Sequence, residues 1–403
     1  MASDDEVPLL KRTEFMTDDT PVISKETTRE MALLERDFVE AEVQALRASV
    51  PIFRPLYTRR NALITSKLSE AEFWPRVFSN LEEYVLPSDE IIIDQCLKNF
   101  TVERFSVNDA GDAGEPRNVR FTFEFDTSPD QNPWFGGDGK FVKDFYWRKS
   151  IGVSEKSGRR SVWEGLVSQP VRIPWRKAEM DPTNGLLDAA CDLAEAEEKV
   201  AGGKGKKVTP EQRLELPEYE KVVKEVAKAE AMVDLHAEDE EDGDEDEDGD
   251  DDDDNDNQDQ STMSFFAWFG YRGRDISAEE SEEAVKADEE YWGKISRGEK
   301  VDGGEGKDGE DADDVSEEGD DDGGDEDGLL DAEIFPDGHE LAMALSEDIW
   351  ENAFKYYVQS LQIGDGIDSG FDFDMDGMED DDDDDDDDDD EEEADRPRKK
   401  VKT

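Results

Sequence analysis

The sequence predicts an α+β protein in which a long helix precedes an antiparallel β-sheet covered by helices, with acidic segments that stay disordered. Apolar residues recur at spacings of three and four between positions 39 and 64, which indicates one face of a helix. Phe121, Phe123 and Phe125 alternate with polar residues, as in a strand that is buried on one face. The 403 residues carry a net charge of −67, of which residues 236–403 account for −56, so much of the C-terminal half lacks the composition of a folded core.

The long helix is predicted to begin at a capping box, Thr27-Thr28-Arg29-Glu30, whose first and last side chains can satisfy free backbone N–H groups. Its apolar residues form a heptad-like seam that a single helix cannot cover by itself. The seam consists of Val39, Val43, Leu46, Val50, Phe53, Tyr57 and Ile64. We expect a second copy of the chain to cover it, antiparallel about a two-fold axis, so that this is a dimerisation helix.

Pro51 and Pro55 leave a second interpretation of this segment open, because each proline removes an amide donor and crowds the preceding turn. In that interpretation the segment forms two helices that fold back on each other as an intrachain hairpin. The seam keeps its phase across both prolines, which favours one kinked helix. The arginines on this helix are expected to be solvated or to pair with acidic residues of an antiparallel partner.

Four strands are predicted between residues 100 and 175, after two short helices. An aromatic turn at Phe73-Trp74 leads into the first short helix, and Ser88-Asp89-Glu90 is predicted to cap the second, over residues 91–97. The strands are predicted over residues 100–107, 121–125, 141–147 and 162–175. Their short connections indicate an antiparallel meander with one face covered by helices.

The rest of the chain is predicted to complete this one domain. The aromatic residues 264–269 and the helical pattern at 341–361 are too short to fold alone, and so apolar a cluster as 264–269 is expected in the core. The predicted organisation is a disordered N-terminus over 1–25, a long dimerisation helix over 26–70, an α/β domain over 71–361 with inserts at about 184–260 and 277–328, and an acidic disordered tail over 362–403 that ends in a basic cluster.

The composition argues against an enzyme or a metalloprotein. The only histidines are His236 and His339, and Cys96 and Cys191 lie far apart in the sequence, so neither a histidine-based triad nor a zinc-ligand spacing is present. Two Asp-rich tracts match only the first half of an EF-hand loop, which does not define a calcium site. We expect no cofactor, no membrane span and no secretory signal, and therefore a soluble intracellular protein.

Several short motifs together resemble the nucleosome assembly protein family, histone chaperones that include the SET-type proteins. In chain order the motifs are Phe53-Arg54-Pro55-Leu56-Tyr57-Thr58-Arg59-Arg60, Phe73-Trp74, Asn132-Pro133-Trp134-Phe135, the Phe-Phe-Ala-Trp-Phe run at 265–269, Glu347-Asp348-Ile349-Trp350 and Tyr356-Tyr357. The run at 265–269 is closer to the SET-type branch. The resemblance implies an antiparallel dimer through the long helix, with an α/β "earmuff" domain at each end, and no enzymatic activity.

The resemblance also implies that acidic surfaces and tails bind core histones, H3–H4, H2A–H2B or both. The candidate histone-binding residues are Glu124, Asp126, Glu347, Asp348, Glu351, Asp381, Asp385 and Asp390. Such a polyanion repels nucleic acid, so we expect no direct specific DNA binding. Nucleosome assembly or disassembly would proceed without ATP. An alternative with the same fold is a SET-like acidic inhibitor of a phosphatase or of histone acetylation.

A basic cluster closes the acidic tail and is predicted to bind a nuclear import receptor. It consists of Arg396, Arg398, Lys399, Lys400 and Lys402. We therefore expect the protein in the nucleus, with shuttling to the cytoplasm left open.

Overall fold

The computed structural model describes residues 24–68, 71–81, 83–153, 160–203, 207–240, 263–299, 329 and 332–365. The chain divides into two units, residues 1–360 and 361–403, and of the second unit only 361–365 are described. The predicted disordered N-terminus, most of the acidic tail, the basic cluster and much of both predicted inserts therefore lie outside the described residues. Every helix within the described part of the chain is too short or too polar to span a bilayer.

Helix α1 runs from Lys25 to Leu63 and contains both Pro51 and Pro55, so the interpretation of these residues as two hairpin helices is wrong. Its 39 residues span about 58 Å at 1.5 Å per residue. The helix begins earlier than predicted, because the hydroxyl of Ser24 accepts a hydrogen bond from the Thr27 N–H at 3.1 Å and caps it. A π-helical turn, Ile64–Leu68, follows directly.

Two short helices, α2 (Phe73–Phe78) and α3 (Pro87–Cys96), lead into the sheet. The predicted cap at residues 88–90 lies inside α3, because Pro87 occupies the first turn, where a missing N–H costs no hydrogen bond.

The four strands form an antiparallel sheet in the order β1-β2-β3-β4, which confirms the predicted meander. They are β1 (Leu97–Glu103), β2 (Val119–Phe125), β3 (Lys140–Val153) and β4 (Arg160–Ser168). Strand β1 ends before Phe105, which was predicted to belong to it. Strand β4 ends well before residue 175, because the N–H of Ser168 donates to the carbonyl of Arg272 and two prolines follow in the segment 169–175.

The remaining elements are helical and pack around the sheet. They are α4 (Leu186–Ala201), α5 (Pro210–Leu214), α6 (Pro217–Glu240), a 3₁₀ segment (Phe265–Gly270), α7 (Ala278–Ser296), α8 (Gly338–Met343), a π-helical turn (Ala344–Ile349) and α9 (Ala353–Asp365). Helices α4 and α6 lie within the predicted insert at 184–260. Their residues Leu187, Leu193 and Val222 are nevertheless buried, so this part of the insert contributes to the core.

The aromatic run at 265–269 lies in the centre of the core, as predicted. Trp268 is fully buried, and its ring centroid lies 5.3 Å from that of Phe121 and 5.2 Å from that of Phe145. The 3₁₀ segment therefore packs on the apolar face of the sheet. A ligand-stacking role is excluded for a side chain with no exposed surface.

Buried charges hold this aromatic segment at both ends. Asp89 is fully buried and accepts hydrogen bonds from the hydroxyl of Ser264 and the N–H of Phe265, both at 2.7 Å. Burial raises the pKa of Asp89 to about 6. At the other end the ammonium of Lys143, fully buried in β3, donates to the carbonyl of Tyr271 at 2.9 Å. It also donates to the carbonyl of Phe269 at 3.1 Å.

Candidate functional site

The predicted seam of α1 is divided between two faces of the helix. Val50 and Ile64 are buried within their own chain, with 9% and 2% of their surface exposed, and so have little surface for a partner. Tyr57 is half-buried and its ring centroid lies 5.1 Å from that of Trp350, while Val43 and Leu46 are half-buried as well. Only Val39 and Phe53 of the predicted seam are exposed, at 52% and 46%.

A second apolar face of α1 points away from the domain. Its residues do not belong to the predicted dimerisation seam. This face contains Met31, Leu34, Phe38, Ile52, Leu56 and Leu63, each between 47% and 65% exposed. Met31, Leu34 and Phe38 follow the three- and four-residue spacing of a coiled-coil seam, and Ala41, Ala45 and Ala48 continue it to Ile52. We call these nine residues, from Met31 to Leu63, the outer face. Its central alanines are short, which makes this spacing less conspicuous than that of the valines on the inner side.

Arginines attach the inner side of α1 to the domain. Arg47 donates to the carbonyl of Gly114 at 2.7 Å, and Arg54 donates to the carbonyl of Val107 at 3.1 Å. These acceptors belong to the loop between β1 and β2. Pro51 packs on Gly111 of the same loop, where a Cβ would lie 2.8 Å from the proline ring and φ is +72°. Pro51 thus forms part of the contact between helix and domain.

Two predicted histone-binding acids, Glu124 and Asp126, are paired within the fold. Lys140 lies 3.6 Å from the carboxylate of Glu124, which also accepts a hydrogen bond from the Asn99 amide at 3.1 Å. Asp126 forms an ion pair with Lys98. Hydrogen bonds from Lys98 and then Ser128 lower the pKa of Asp126 to about 2. Both carboxylates therefore have a lysine of the same sheet as a partner, and the side chain of Asp126 is only 14% exposed.

The three predicted acids near residue 350 lie together on the surface, on and just after the π-helical turn. Arg104 donates to Glu347 at 3.1 Å, and this glutamate side chain remains 48% exposed. Asp348 accepts hydrogen bonds from Asn352 at 2.7 Å and from the Tyr356 hydroxyl at 2.5 Å. We call residues 347–351 the acidic turn.

The pKa of Glu351 in the acidic turn is shifted from its ordinary value. Partial desolvation raises the pKa of the Glu351 carboxyl; Arg104 opposes this increase, and the negative charge of Glu347 adds to it. The structure therefore brings Glu347, Asp348 and Glu351 together, with Arg104 as a neighbouring cation, whereas Glu124 and Asp126 lie at the end of β2.

Helix α7 carries an acidic face. The helix lies within the predicted insert at about 277–328. Its exposed carboxylates are Glu279, Glu280, Glu282, Glu283, Glu289 and Glu290. Its inner side is fixed to the sheet, because Lys149 and Arg160 both form ion pairs with the buried Asp288. The capping box between Ser277 and Glu280 was present in the sequence and could have located this helix.

The described residues hold no site of obvious catalytic or metal-binding chemistry. A cleft of about 230 Å³ lies between the sheet and α8, but its charged residues pair with one another, as in the contacts Arg104–Glu347 and Arg117–Glu164. No group of three or more metal-ligating side chains occurs in the described part of the chain. Burial raises the pKa of the Cys96 thiol to about 12, so it is not a nucleophile at neutral pH. Asp381, Asp385, Asp390 and the basic cluster lie outside the described residues.

Comparisons with known proteins agree with the resemblance. No family model matches the chain. A protein of Schizosaccharomyces pombe named "Putative nucleosome assembly protein" is 26% identical over 151 residues, which cover 36% of this chain and 56% of the relative. The chain thus matches about half the length of this curated relative. The printed name of this relative is that of an assembly protein and not that of an enzyme.

Solved structures are similar over most of the chain. A crystal structure of a Ccp1 mutant has a TM-score of 0.41 at 17% identity and covers 85% of this chain and 98% of its own. A crystal structure of Vps75 has a TM-score of 0.40 at 16% identity and covers 84% of this chain and 100% of its own. The fold described above is defined by the helices and strands of this chain, independently of these similarities. The resemblance predicted from the sequence is confirmed by the curated relative: this chain is similar to a nucleosome assembly protein.

Proposed function

We propose that the protein is a histone chaperone that binds core histones through acidic surfaces and promotes nucleosome assembly or disassembly without ATP. The observation that carries this proposal is the similarity to a nucleosome assembly protein, together with the same motifs in chain order. Histones are basic and bind DNA phosphates non-specifically. A polyanion that covers their basic surfaces suppresses such contacts until DNA offers the correct geometry.

The distribution of charge within the fold supports a division of labour among the acidic residues. Carboxylates such as Glu197 and Asp288 are buried and paired with arginine or lysine, so they stabilise the domain. The acidic turn and the acidic face of α7 remain exposed, and we infer that they supply the shaped part of the histone surface. The acidic tail, with Asp381, Asp385 and Asp390, supplies steering and local charge.

We further propose that the outer face of α1 pairs with a second copy of the chain. Contiguous exposed apolar side chains on a helix of about 58 Å cost solvation free energy unless a partner covers them. An antiparallel homodimer would bring the same face of each helix together about a two-fold axis. Val39 and Phe53 of the predicted seam retain exposed surface for this role, whereas Val50 and Ile64 do not.

The basic cluster is proposed to bind a nuclear import receptor, which would place the protein in the nucleus. Replacing Arg398, Lys399 and Lys400 with Ala removes three adjacent positive charges. A fluorescent fusion of this variant, in cells that lack the native copy, is expected in the cytoplasm. A fully nuclear variant would mean that another segment or the histone cargo directs import.

The experiment that tests the proposed function is supercoiling of relaxed plasmid DNA by purified chain and core histones, in the presence of topoisomerase I and without ATP. We expect supercoils to accumulate with the intact chain and more slowly with a variant that lacks residues 379–395. Cross-linking of the chain with H3–H4 and, separately, with H2A–H2B would identify the preferred pair. Histone binding without any supercoiling would argue against assembly activity and favour an inhibitor that masks basic tails.

A further inference from the structure

Arg60 connects the long helix to the acidic turn. One Nη atom of its guanidinium donates to the carbonyl of Trp350 at 2.5 Å and lies 3.5 Å from that of Glu351. The guanidinium carbon lies 4.1 Å from the centre of the Trp350 ring and 4.7 Å from that of Tyr57. Arg60 therefore stacks on one aromatic ring of its own helix and on one of the acidic turn.

Trp350 is held from its other side as well. Its ring is stacked with that of Trp74, with centroids 5.9 Å apart and an angle of 6° between the planes. Trp350 lies between Asp348 and Glu351 in the chain, so its position determines where the neighbouring carboxylates emerge. Arg47 and Arg54 of α1 bind the β1–β2 loop, whereas Arg60 binds the acidic turn.

The arrangement of Arg60 is unusual for an arginine near so many carboxylates. It donates to backbone carbonyls, while its Nε and second Nη atoms are buried and have no acceptor among the described residues. Burial lowers the pKa of Arg60 to about 10. The charges of Tyr57 and Glu351 oppose this decrease, but no ion pair joins Arg60 to a carboxylate among the described residues. Stacking and the backbone contact fix Trp350 in place.

We propose that Arg60 is a positioning residue that fixes the acidic turn relative to the long helix, and thereby the placement of the acidic turn in each half of a dimer. The functional part of this inference rests on the proposed histone binding. A carboxylate held in place binds a basic partner without first being ordered, and this affects mainly the dissociation rate. Long-range steering depends on net charge and is unaffected by the orientation of the turn.

Hydrogen exchange of the full-length protein tests the positioning directly and does not require histones. In Arg60→Met we expect the amides of residues 347–352 to exchange roughly tenfold faster, because the restraint on Trp350 is lost. Lys177→Met is the matched control, since it makes the same change in charge at an exposed position outside α1. Arg60→Lys, which keeps the charge and the aliphatic stem, should fall between Arg60→Met and the wild type. Exchange in residues 119–125 of β2 reports global unfolding.

Binding kinetics with core histones provide the second measurement. Arg60→Met should raise the dissociation rate roughly fivefold and leave the association rate within about twofold, whereas Lys177→Met should change neither beyond about twofold. If Arg60→Met also accelerates exchange in β2, the comparison of Arg60→Lys with Lys177→Met decides.

Two results would overturn the positioning role. They are wild-type exchange at 347–352 in both Arg60 variants, and equal changes in the Arg60 and Lys177 variants. A wild-type protein that fails to bind histones would instead contradict the proposed function, while exchange still decides the role of Arg60.

Discussion

Both sides of α1 carry apolar side chains, but the two sides have different surroundings. On the inner side Val50 and Ile64 are buried against their own domain. On the outer face Phe38 and Ile52 are 59% and 65% exposed. Apolar periodicity thus identifies a helix without identifying which side folds against the chain and which side is free to associate. Substitutions on the two sides should therefore have different effects, one on stability and the other on assembly.

The largest effect is expected from a charge on the inner side. Ile64→Asp places an unpaired carboxylate in the core and should lower the free energy of unfolding by about 3–5 kcal/mol. Leu63→Asp is the matched control, because the neighbouring residue is 47% exposed. Urea denaturation followed by circular dichroism measures both. Equal destabilisation by the two substitutions would remove the distinction between the sides.

A charge on the outer face should separate the copies and leave each copy folded. Ile52→Asp combined with Leu56→Asp puts two carboxylates in the proposed interface, and light scattering should then report the mass of a single chain. Ala62→Asp adds a charge to an exposed position outside the outer face and should leave the assembly unchanged. An intact dimer in the double variant would exclude the outer face as the interface.

The carboxylates of the acidic turn and those at the end of β2 should contribute unequally to histone binding. Glu347→Gln with Glu351→Gln is expected to weaken affinity for core histones roughly tenfold at low salt. Glu124→Gln with Asp126→Asn removes the same charge from carboxylates that Lys140 and Lys98 already pair, and should cost less than about threefold. Titrations at several ionic strengths measure both, and the gap should narrow as salt rises. The reverse order would place the histone surface on the sheet.

The smallest predicted effect concerns pH and lies in the core. The pKa of Asp89 is raised from 3.8 to about 6 in the folded state, so folding favours the protonated acid. This contribution is absent above pH 6, grows as pH falls through 6 and is complete below about 3.8. Between pH 7 and pH 5 it should add about 1 kcal/mol to the wild type relative to Asp89→Asn. If the free energies of unfolding of the wild type and Asp89→Asn change equally with pH, the pKa of Asp89 is not raised in the folded state.

The strands were largely predictable from the sequence, whereas their ends were not. Alternating phenylalanines located β2, and the register that pairs Phe123 with Phe100 and Phe141 follows from burying one face. The end of β4 depends on a hydrogen bond to Arg272, a residue more than a hundred positions away. Lys143 reads as a break in an apolar pattern, and only the tertiary structure supplies the carbonyls that it binds.

The candidate site was predictable in kind more than in detail. The acidic turn was among the predicted residues because it belongs to a family motif. Pairing with Lys98 and Lys140, which neutralises Asp126 and Glu124, depends on cross-strand neighbours that the sequence does not show. On α1, an inner row of larger aliphatic residues obscured the outer face, whose central positions are Ala41, Ala45 and Ala48.

The molar mass of the intact chain in solution tests most directly whether the outer face of α1 pairs with a second copy. Light scattering over a range of concentrations, at an ionic strength high enough to screen the acidic tail, measures it. The proposed interface predicts twice the 45.5 kDa of the single chain at every concentration in the micromolar range. A mass of 45.5 kDa, with the circular dichroism of a folded protein, would contradict it.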